Sequence, residues 1–110
     1  MNHQRLECYQ RMLRAVKDVQ VLMPNLARGT AETQDQLKRA LNSAVLNTVE
    51  GNGRRTPKDR KCFFNRATAS LSEASACLDL LKIYQPKCSQ VLDRQKKELG
   101  IVYAMIRHLP

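Results

Sequence analysis

Apolar residues recur at three- and four-residue steps along most of this 110-residue chain, which is the pattern of one face of an α-helix. Proline, glycine and clustered polar residues interrupt the pattern, so that four helices are predicted. We place them at about Asn2 to Leu22, Thr30 to Gly51, Pro57 to Tyr84, and Pro86 to Leu109. Because the connections are short, neighbouring helices are expected to be antiparallel, which gives an all-α, up-down four-helix bundle.

The second and third helices form the best-defined pair. Their apolar lines are Leu37, Leu41, Ala44, Val45, Thr48 and Val49 in the second helix, and Phe63, Ala67, Leu71, Ala74, Leu78 and Leu81 in the third. Polar lines run beside them, formed by Gln36, Arg39, Ser43, Asn47, Glu50 and Arg54 and by Arg66, Ser70 and Glu73. If the chain reverses near Gly53, Arg39 lies close to Glu73, and we expect an ion pair whose loss is destabilising if it is buried.

The connection between these two helices carries strong local signals. Gly51 and Gly53 allow positive φ and are expected to end the second helix in the left-handed conformation. Thr56 is a good N-cap for the third helix, and Pro57 suits the first helical position, where its missing N–H removes no hydrogen bond. Asp59 falls in the first turn, where the helix dipole favours a carboxylate.

The two outer helices have less regular patterns. The apolar line of the first helix is Leu6, Tyr9, Leu13, Val16 and Met23, and Met12 and Val19 widen it. The basic residues off this line, which are expected to face solvent, are Arg5, Arg11, Arg14 and Lys17. In the fourth helix, Gly100 interrupts the pattern and costs about 1 kcal/mol relative to Ala. A close contact with another helix or subunit would account for it, and so would sequence drift.

The central third of the chain carries polar and glycine residues at spacings more specific than an amphipathic pattern. They are Gln36, Leu37, Arg39, Ala40, Ser43, Asn47, Glu50, Gly51, Gly53 and Arg54, followed by Phe63, Ala67, Ser70, Leu71 and Glu73. This set resembles the four-helix-bundle family of 23S rRNA intervening-sequence proteins. The resemblance implies an antiparallel bundle in a bacterial protein, often a homopentamer, with no established enzymatic activity. The family is also similar to the basic accessory proteins of diversity-generating retroelements, which work with a reverse transcriptase and bind nucleic acid.

Charge is the strongest bulk signal. The chain has 19 Lys and Arg residues against 10 Asp and Glu, a formal net charge of +9. An excess of this size on a small domain favours a polyanionic partner, with RNA or DNA ahead of an anionic membrane surface, although basic domains can also be merely soluble. The length suits a single domain over residues 1–110, and the scarcity of aromatic residues suits helices packed on helices.

The N-terminus and the cysteines favour a cytoplasmic protein. Residues 1–7 are polar and charged without a signal-peptide run, and no stretch is long and apolar enough to span a bilayer. The four cysteines lack C-x-x-C spacing, and the two histidines do not complete a metal-site pattern. Cys8 and Cys77 fall on inner faces, as expected for reduced core thiols in a cytosolic protein.

Candidates for catalysis are few. Glu50 and Glu73 could form an acid–base pair, but both lie beside arginines and no histidine joins them. Ser43 and Ser70 have no base partner. The glycines at the end of the second helix are not followed by the lysine and hydroxyl spacing of a phosphate loop. We therefore expect no enzyme, no cofactor and no metal, with a hydrolase or nuclease as a minor alternative.

The best functional feature joins the two central helices, and we call it the basic turn: Arg54, Arg55, Lys58, Arg60, Lys61 and Arg66. Asp59 is the only acid in the 13 residues from Arg54 to Arg66, so this stretch supplies +5 of the total charge of +9. With the N–H groups of a helix N-terminus, these cations predict phosphate contacts, which give affinity and salt dependence rather than sequence reading. No exposed aromatic platform is expected beside them, so base stacking is not predicted. An i, i+4 pair of Glu50 with Arg54 is the purely structural alternative.

These observations predict a cytoplasmic, non-catalytic homo-oligomer that binds nucleic acid through the basic turn, with no membrane contact. RNA is preferred because of the genetic setting of the family, and not because of any residue. A protein–protein assembly module with an acidic protein partner is the main alternative. The pattern leaves open whether the polar lines of the two central helices face the core, another subunit or solvent.

Overall fold

The computed structural model describes residues 2–110, so Met1 of the polar N-terminal stretch lies outside it. The four α-helices are α1 (Glu7–Leu22), α2 (Ala31–Gly53), α3 (Pro57–Tyr84) and α4 (Ser89–Arg107). Short 3₁₀ turns cover Asn2–Arg5, Met23–Asn25 and Pro86–Cys88. The predicted all-α, up-down bundle is confirmed, and residues 2–110 include no β-strand. None of the described helices combines the length and apolar character needed to cross a bilayer.

The α2–α3 hairpin is the most extensively packed pair, and α4 and α1 close the bundle against it. The larger core side chains are Met12, Val19, Leu37, Leu41, Phe64, Leu71, Leu78, Leu81, Leu92, Leu99, Val102 and Ile106. Helices stabilise one another here by removing these side chains from water. The bundle measures 45 × 20 × 20 Å, which places the basic turn at one end of the long axis.

The buried stripes differ in phase from the predicted lines at two places. In α1, Met12 is buried and Leu13 is 37% exposed. In α3, Phe64 is buried, whereas Phe63 is only half-buried. The predicted core positions of Leu13 and Phe63 are therefore wrong. One residue corresponds to about 100° around a helix, and the apolar stripe is itself about that wide, so adjacent apolar residues compete for the inner position.

The first helix begins later than predicted and is tied to α4. The predicted helix start at Asn2 is wrong, because Asn2 lies in a 3₁₀ turn and α1 starts at Glu7. Arg11 does not simply face solvent: its Nε and Nη2 donate hydrogen bonds to Glu98 Oε1 and Oε2 at 2.7 and 3.0 Å. This bidentate contact lowers the pKa of the Glu98 carboxyl.

The left-handed glycine is in a different loop from the one predicted. Gly29 has a φ of +90°, whereas Gly51 and Gly53 belong to α2 and neither has a positive φ. The predicted left-handed end of α2 is therefore wrong. Thr30 sits at the N-cap position of α2, but its hydroxyl donates to the Ala27 carbonyl at 2.6 Å instead of capping the helix.

The predicted burial of two cysteines is confirmed. Cys8 and Cys77 lie in the core, and burial raises the pKa of each thiol. Cys62 is exposed and Cys88 is half-buried, and all four are free thiols.

Candidate nucleic-acid interface

The backbone of the basic turn is fixed by a helix cap. Only residues 54–56 separate α2 from α3. Thr56 Oγ1 accepts a hydrogen bond from the Asp59 N–H at 3.1 Å, and Pro57 occupies the first helical position, as predicted. A threonine cap of this type stabilises a helix by about 1 kcal/mol. The cations of the basic turn therefore start from a well-defined backbone.

Gly51 is required by packing and not by backbone conformation. A Cβ atom at this position would lie 2.6 Å from a ring carbon of Phe64, closer than real Cβ contacts. The absence of a side chain allows the buried Phe64 ring to lie directly against α2. A Cβ at Gly53, two residues later, would meet nothing within 4 Å. Of the two glycines at the end of α2, only Gly51 is thus required by its surroundings.

Arg60 holds the turn together with three backbone contacts. Its Nη1 donates to the carbonyls of Asn52 and Arg54 at 3.0 and 3.2 Å, and its Nε donates to the Pro110 carbonyl at 2.9 Å. The carbonyls at the end of a helix have no partner within the helix, and Arg60 supplies one. We therefore assign Arg60 to the stability of the turn, although the sequence placed it among the phosphate-binding residues.

Phe63 lies between two guanidinium groups. Arg54 Cζ is 4.5 Å and Arg66 Cζ is 4.9 Å from the centroid of the Phe63 ring. Arg54 Nη2 also pairs with Glu50 Oε2 at 3.0 Å, so that the predicted i, i+4 contact is confirmed. Phe63 is half-buried and covered by these guanidinium groups, so it is not the exposed stacking platform whose absence was predicted. A phenylalanine three residues before an arginine was the signal for this contact, because those positions share a helix face.

Three cations of the basic turn remain free. Arg55, Lys58 and Lys61 are exposed, and within residues 2–110 their side chains form no hydrogen bond or ion pair. Lys58 and Lys61 lie in the first turns of α3, where the helix dipole adds positive potential. These side chains are the ones available to an anionic ligand.

The C-terminal end of α4 adds a basic residue that the sequence did not reveal. Arg107 lines the same cavity as Lys61, and its Cζ lies 6.0 Å from the centroid of the Tyr103 ring. Together with the six residues of the basic turn, Arg107 makes seven basic side chains contributed by the α2–α3 connection and the C-terminal end of α4. Only the packing of α4 against α3 brings Arg107 here, since it is 41 residues from Arg66 in the chain.

The polar lines of α2 and α3 meet on the outer side of the hairpin. Ser43 Oγ lies 2.8 Å from Ser70 Oγ, and Asn47 Nδ2 donates to Ser43 O at 2.8 Å. Arg39 and Glu73 are exposed, and the ion pairs of the described residues do not include one between them. The predicted Arg39–Glu73 pair is therefore wrong: in water, two long side chains gain little from pairing.

Some other polar groups of the bundle are engaged in structural contacts. Ser43 and Ser70 bond each other, and the His108 ring nitrogen Nδ1 lies 2.7 Å from the Ala104 carbonyl. In the part of the chain that the structure describes, no three His, Cys, Asp or Glu residues gather as metal ligands. What the surface offers is cations and aromatic rings.

The whole bundle, and not only its hairpin, is typical of one family. The family model of the 23S rRNA-intervening sequence protein matches residues 4–108. The chain belongs to this family. Among functionally curated proteins, none matches the sequence.

In this intervening-sequence protein, the residues that carried the resemblance separate into three structural groups. Those buried in the core are Leu37, Ala40, Gly51, Ala67 and Leu71. Those half-buried are Ser43, Asn47 and Ser70 at the hairpin seam and Phe63 beside the basic turn. Those exposed on the outer side are Gln36, Arg39, Gly53, Arg54, Glu50 and Glu73. Glu50 and Arg54 pair with each other, whereas packing within the single chain does not explain Gln36, Arg39 and Glu73.

Proposed function

We propose that this protein binds nucleic acid, RNA by preference, through the phosphate contacts of the basic turn, and that it performs no catalysis. The observation that carries the proposal is the set of three free cations, Arg55, Lys58 and Lys61, at the capped N-terminus of α3. Two further guanidinium groups are held beside them by Phe63. Guanidinium groups held in this way lose little side-chain freedom when they bind a phosphate backbone and release its counterions.

The RNA preference rests on family membership, and the non-catalytic assignment rests on the local chemistry. Glu50, the acid closest in sequence to the turn, is paired with Arg54. The two hydroxyls at the hairpin seam, Ser43 and Ser70, bond each other and contact no histidine. If the protein cleaved RNA in a reaction that depends on a divalent metal, the hydrolase alternative would be supported instead.

The test reverses the charge of the three free basic side chains. In the variant Arg55→Glu, Lys58→Glu, Lys61→Glu the net charge falls from +9 to +3, because each reversal removes two charges. Glutamates near the start of α3 are favoured by the helix dipole, so the fold is expected to be retained. We expect the Kd for a fluorescent RNA hairpin, measured by anisotropy at low salt, to rise at least about tenfold.

A matched control separates local contacts from total charge. The variant Arg28→Glu, Lys38→Glu, Lys87→Glu also carries +3, but its exposed positions lie away from the basic turn. We expect its Kd to stay within about threefold of the parent value, and its salt dependence to stay steep. Equal losses in both variants would mean that net charge alone attracts RNA, and the basic turn would lose its assignment.

We further propose that the chain acts as a homo-oligomer, with a pentamer suggested by the family. The support is the exposed outer group on the α2–α3 hairpin. In a cyclic assembly each copy would present the same basic turn, and binding would be multivalent. Light-scattering mass at two salt concentrations, with and without RNA, tests this proposal, and a monomer under all conditions contradicts it.

A protein–protein assembly module is the second candidate. It is favoured by large apolar side chains that a single chain leaves exposed, namely Val21 at 74%, Ile83 at 72% and Leu46 at 64%. An acidic protein partner would then occupy the basic turn. Excess non-specific RNA would displace an RNA ligand but would leave an apolar protein contact in place.

A further inference from the structure

A groove runs along α3 and α4, away from the basic turn. Its first part is a cavity of about 580 Å³ lined by Lys61 and Arg107 and by the apolar residues Phe64 and Ile106, among others. Its second part is a cavity of about 300 Å³ that reaches Gly100. Tyr103 lines both cavities and is the residue that they share.

Gly100 keeps the second part of the groove open. It lies inside α4, where glycine is unfavourable by about 1 kcal/mol relative to alanine. A Cβ at this position would meet nothing within 4 Å, so no close helix contact inside this chain requires glycine. The missing side chain leaves the surface of the α4 helix accessible at the cavity.

The lining of the first cavity combines the three features that bind a nucleotide. Apolar walls and the half-buried Tyr103 ring suit the flat face of a base. Asn65, which is exposed, offers amide donors and an acceptor to a base edge. Lys61 and Arg107, which also line the cavity, supply positive charge for a phosphate. The volume falls within the range of small-ligand sites.

We propose that the α3–α4 groove binds an unpaired nucleotide of the same RNA whose backbone lies on the basic turn. This inference rests on the proposed function and sharpens it, because it names the kind of nucleic acid. A base inside a duplex cannot enter the groove, whereas a base in a loop, bulge or single strand can leave its neighbours and stack on a side chain. The protein therefore prefers RNA with unpaired bases to continuous duplex.

Two groove variants test the proposal. Gly100→Leu fills the second cavity and replaces glycine by a good helix former, so its Tm should equal or exceed that of the parent. Tyr103→Leu removes the ring but keeps an apolar side chain. The probe is a single-stranded RNA containing ethenoadenosine, whose fluorescence rises when the base is separated from its neighbours. We expect each variant to bind this probe roughly five- to tenfold more weakly than the parent.

Competition with unlabelled RNA distinguishes the groove from the basic turn. We expect single-stranded RNA to displace the probe better than duplex RNA with the same number of phosphates, and duplex affinity to be unchanged in both groove variants. If single-stranded and duplex RNA compete equally and the variants behave like the parent, the groove proposal is overturned and the basic turn is retained. If the parent binds neither RNA, the proposed function itself fails.

A free nucleotide has the same chemistry as an unpaired nucleotide in RNA, and adenosine monophosphate distinguishes the two sources. In the proposed arrangement, the triple reversal of the basic turn weakens probe binding further than either groove variant, and the monophosphate competes only at concentrations far above the Kd for RNA. A monophosphate that displaces the probe as well as RNA does would make the groove a small-molecule site and would overturn the RNA proposal.

Discussion

The basic turn and the connection between α3 and α4 are both short reversals between antiparallel helices, but their charges are arranged differently. At the α3–α4 connection, Lys82 Nζ pairs with Asp93 at 3.0 Å and Lys96 Nζ pairs with Asp79 at 2.8 Å. At the basic turn, the cations outnumber the acids, and Arg60 is used to bind backbone carbonyls. The positive excess is therefore concentrated at the basic turn, which supplies +5 of the total of +9.

The two connections also differ in how they use apolar side chains. At the basic turn, Phe64 is buried against Gly51, and Phe63 is covered by two arginines. At the opposite end, Ile83 is 72% and Tyr84 is 56% exposed. One reversal is thus built from specific contacts to its own residues, whereas the other leaves apolar surface uncovered. Substitutions are expected to have larger effects on stability at the basic turn.

The largest expected effect comes from Gly51→Ala. The new Cβ would approach the Phe64 ring to 2.6 Å, so the ring and the neighbouring backbone must shift, at a cost of about 1–3 kcal/mol. Gly53→Ala is the matched control, because its Cβ meets nothing within 4 Å. We expect the control to be neutral or slightly stabilising in urea unfolding. Equal stability of the two variants would mean that the Phe64 contact does not constrain the turn.

The next prediction compares the loss of stability when one cation is removed at each connection. Arg60→Met leaves the carbonyls of Asn52 and Arg54 without their donor and is expected to destabilise the protein by about 1–2 kcal/mol. Lys82→Met removes a surface ion pair with Asp93 and is expected to cost less than about 0.5 kcal/mol. Chemical denaturation of both variants at one pH measures the difference. If Lys82→Met is the more harmful, the contrast between the two connections is reversed.

The smallest effect is a pH dependence that belongs to neither connection. The hydrogen bond from Arg11 holds the pKa of the Glu98 carboxyl below its ordinary value of 4.5. Because the folded state binds this proton less readily than the unfolded state, the contribution of Glu98 to stability is full above pH 4.5 and is lost as the pH falls through the lowered pKa. The contribution is small, since both side chains are partly exposed.

The measurement is the free energy of unfolding of Glu98→Gln between neutral pH and about pH 3. We expect the variant to lose less stability on acidification than the parent does. Glu32→Gln changes an exposed carboxylate that is not paired in the described chain and serves as the control. A parallel acid response of Glu98→Gln and the parent would show that the Arg11 contact is absent in solution.

The sequence predicted the parts of the fold that depend on local signals. The helix order and the Thr56–Pro57 start of α3 follow from periodicity and capping, which act over a few residues. The assignment of Phe63 to the core failed, because the position of an apolar side chain around a helix is decided by the helices packed against it. The match to the family model then extended the resemblance from the central helices to the rest of the bundle.

The candidate site was less predictable, because its contacts join distant residues. The basic turn itself was visible as a run of cations, but the role of Arg60 depends on carbonyls at the end of α2. The packing reason for Gly51 lies in Phe64, and Arg107 arrives from the end of α4. None of these contacts has a fixed spacing in sequence, so only the tertiary structure reveals them.

The 45 Å length of the bundle is much greater than the distance over which the charge of the basic turn acts in salt solution. At physiological ionic strength the Debye length is about 8 Å, a small fraction of that distance. An approaching polyanion therefore experiences the field of the nearest end and not the total of +9. Diluting the salt lengthens the range until the molecule acts as one charged body, so the orientation of the first encounter, and with it the association rate, depends on ionic strength.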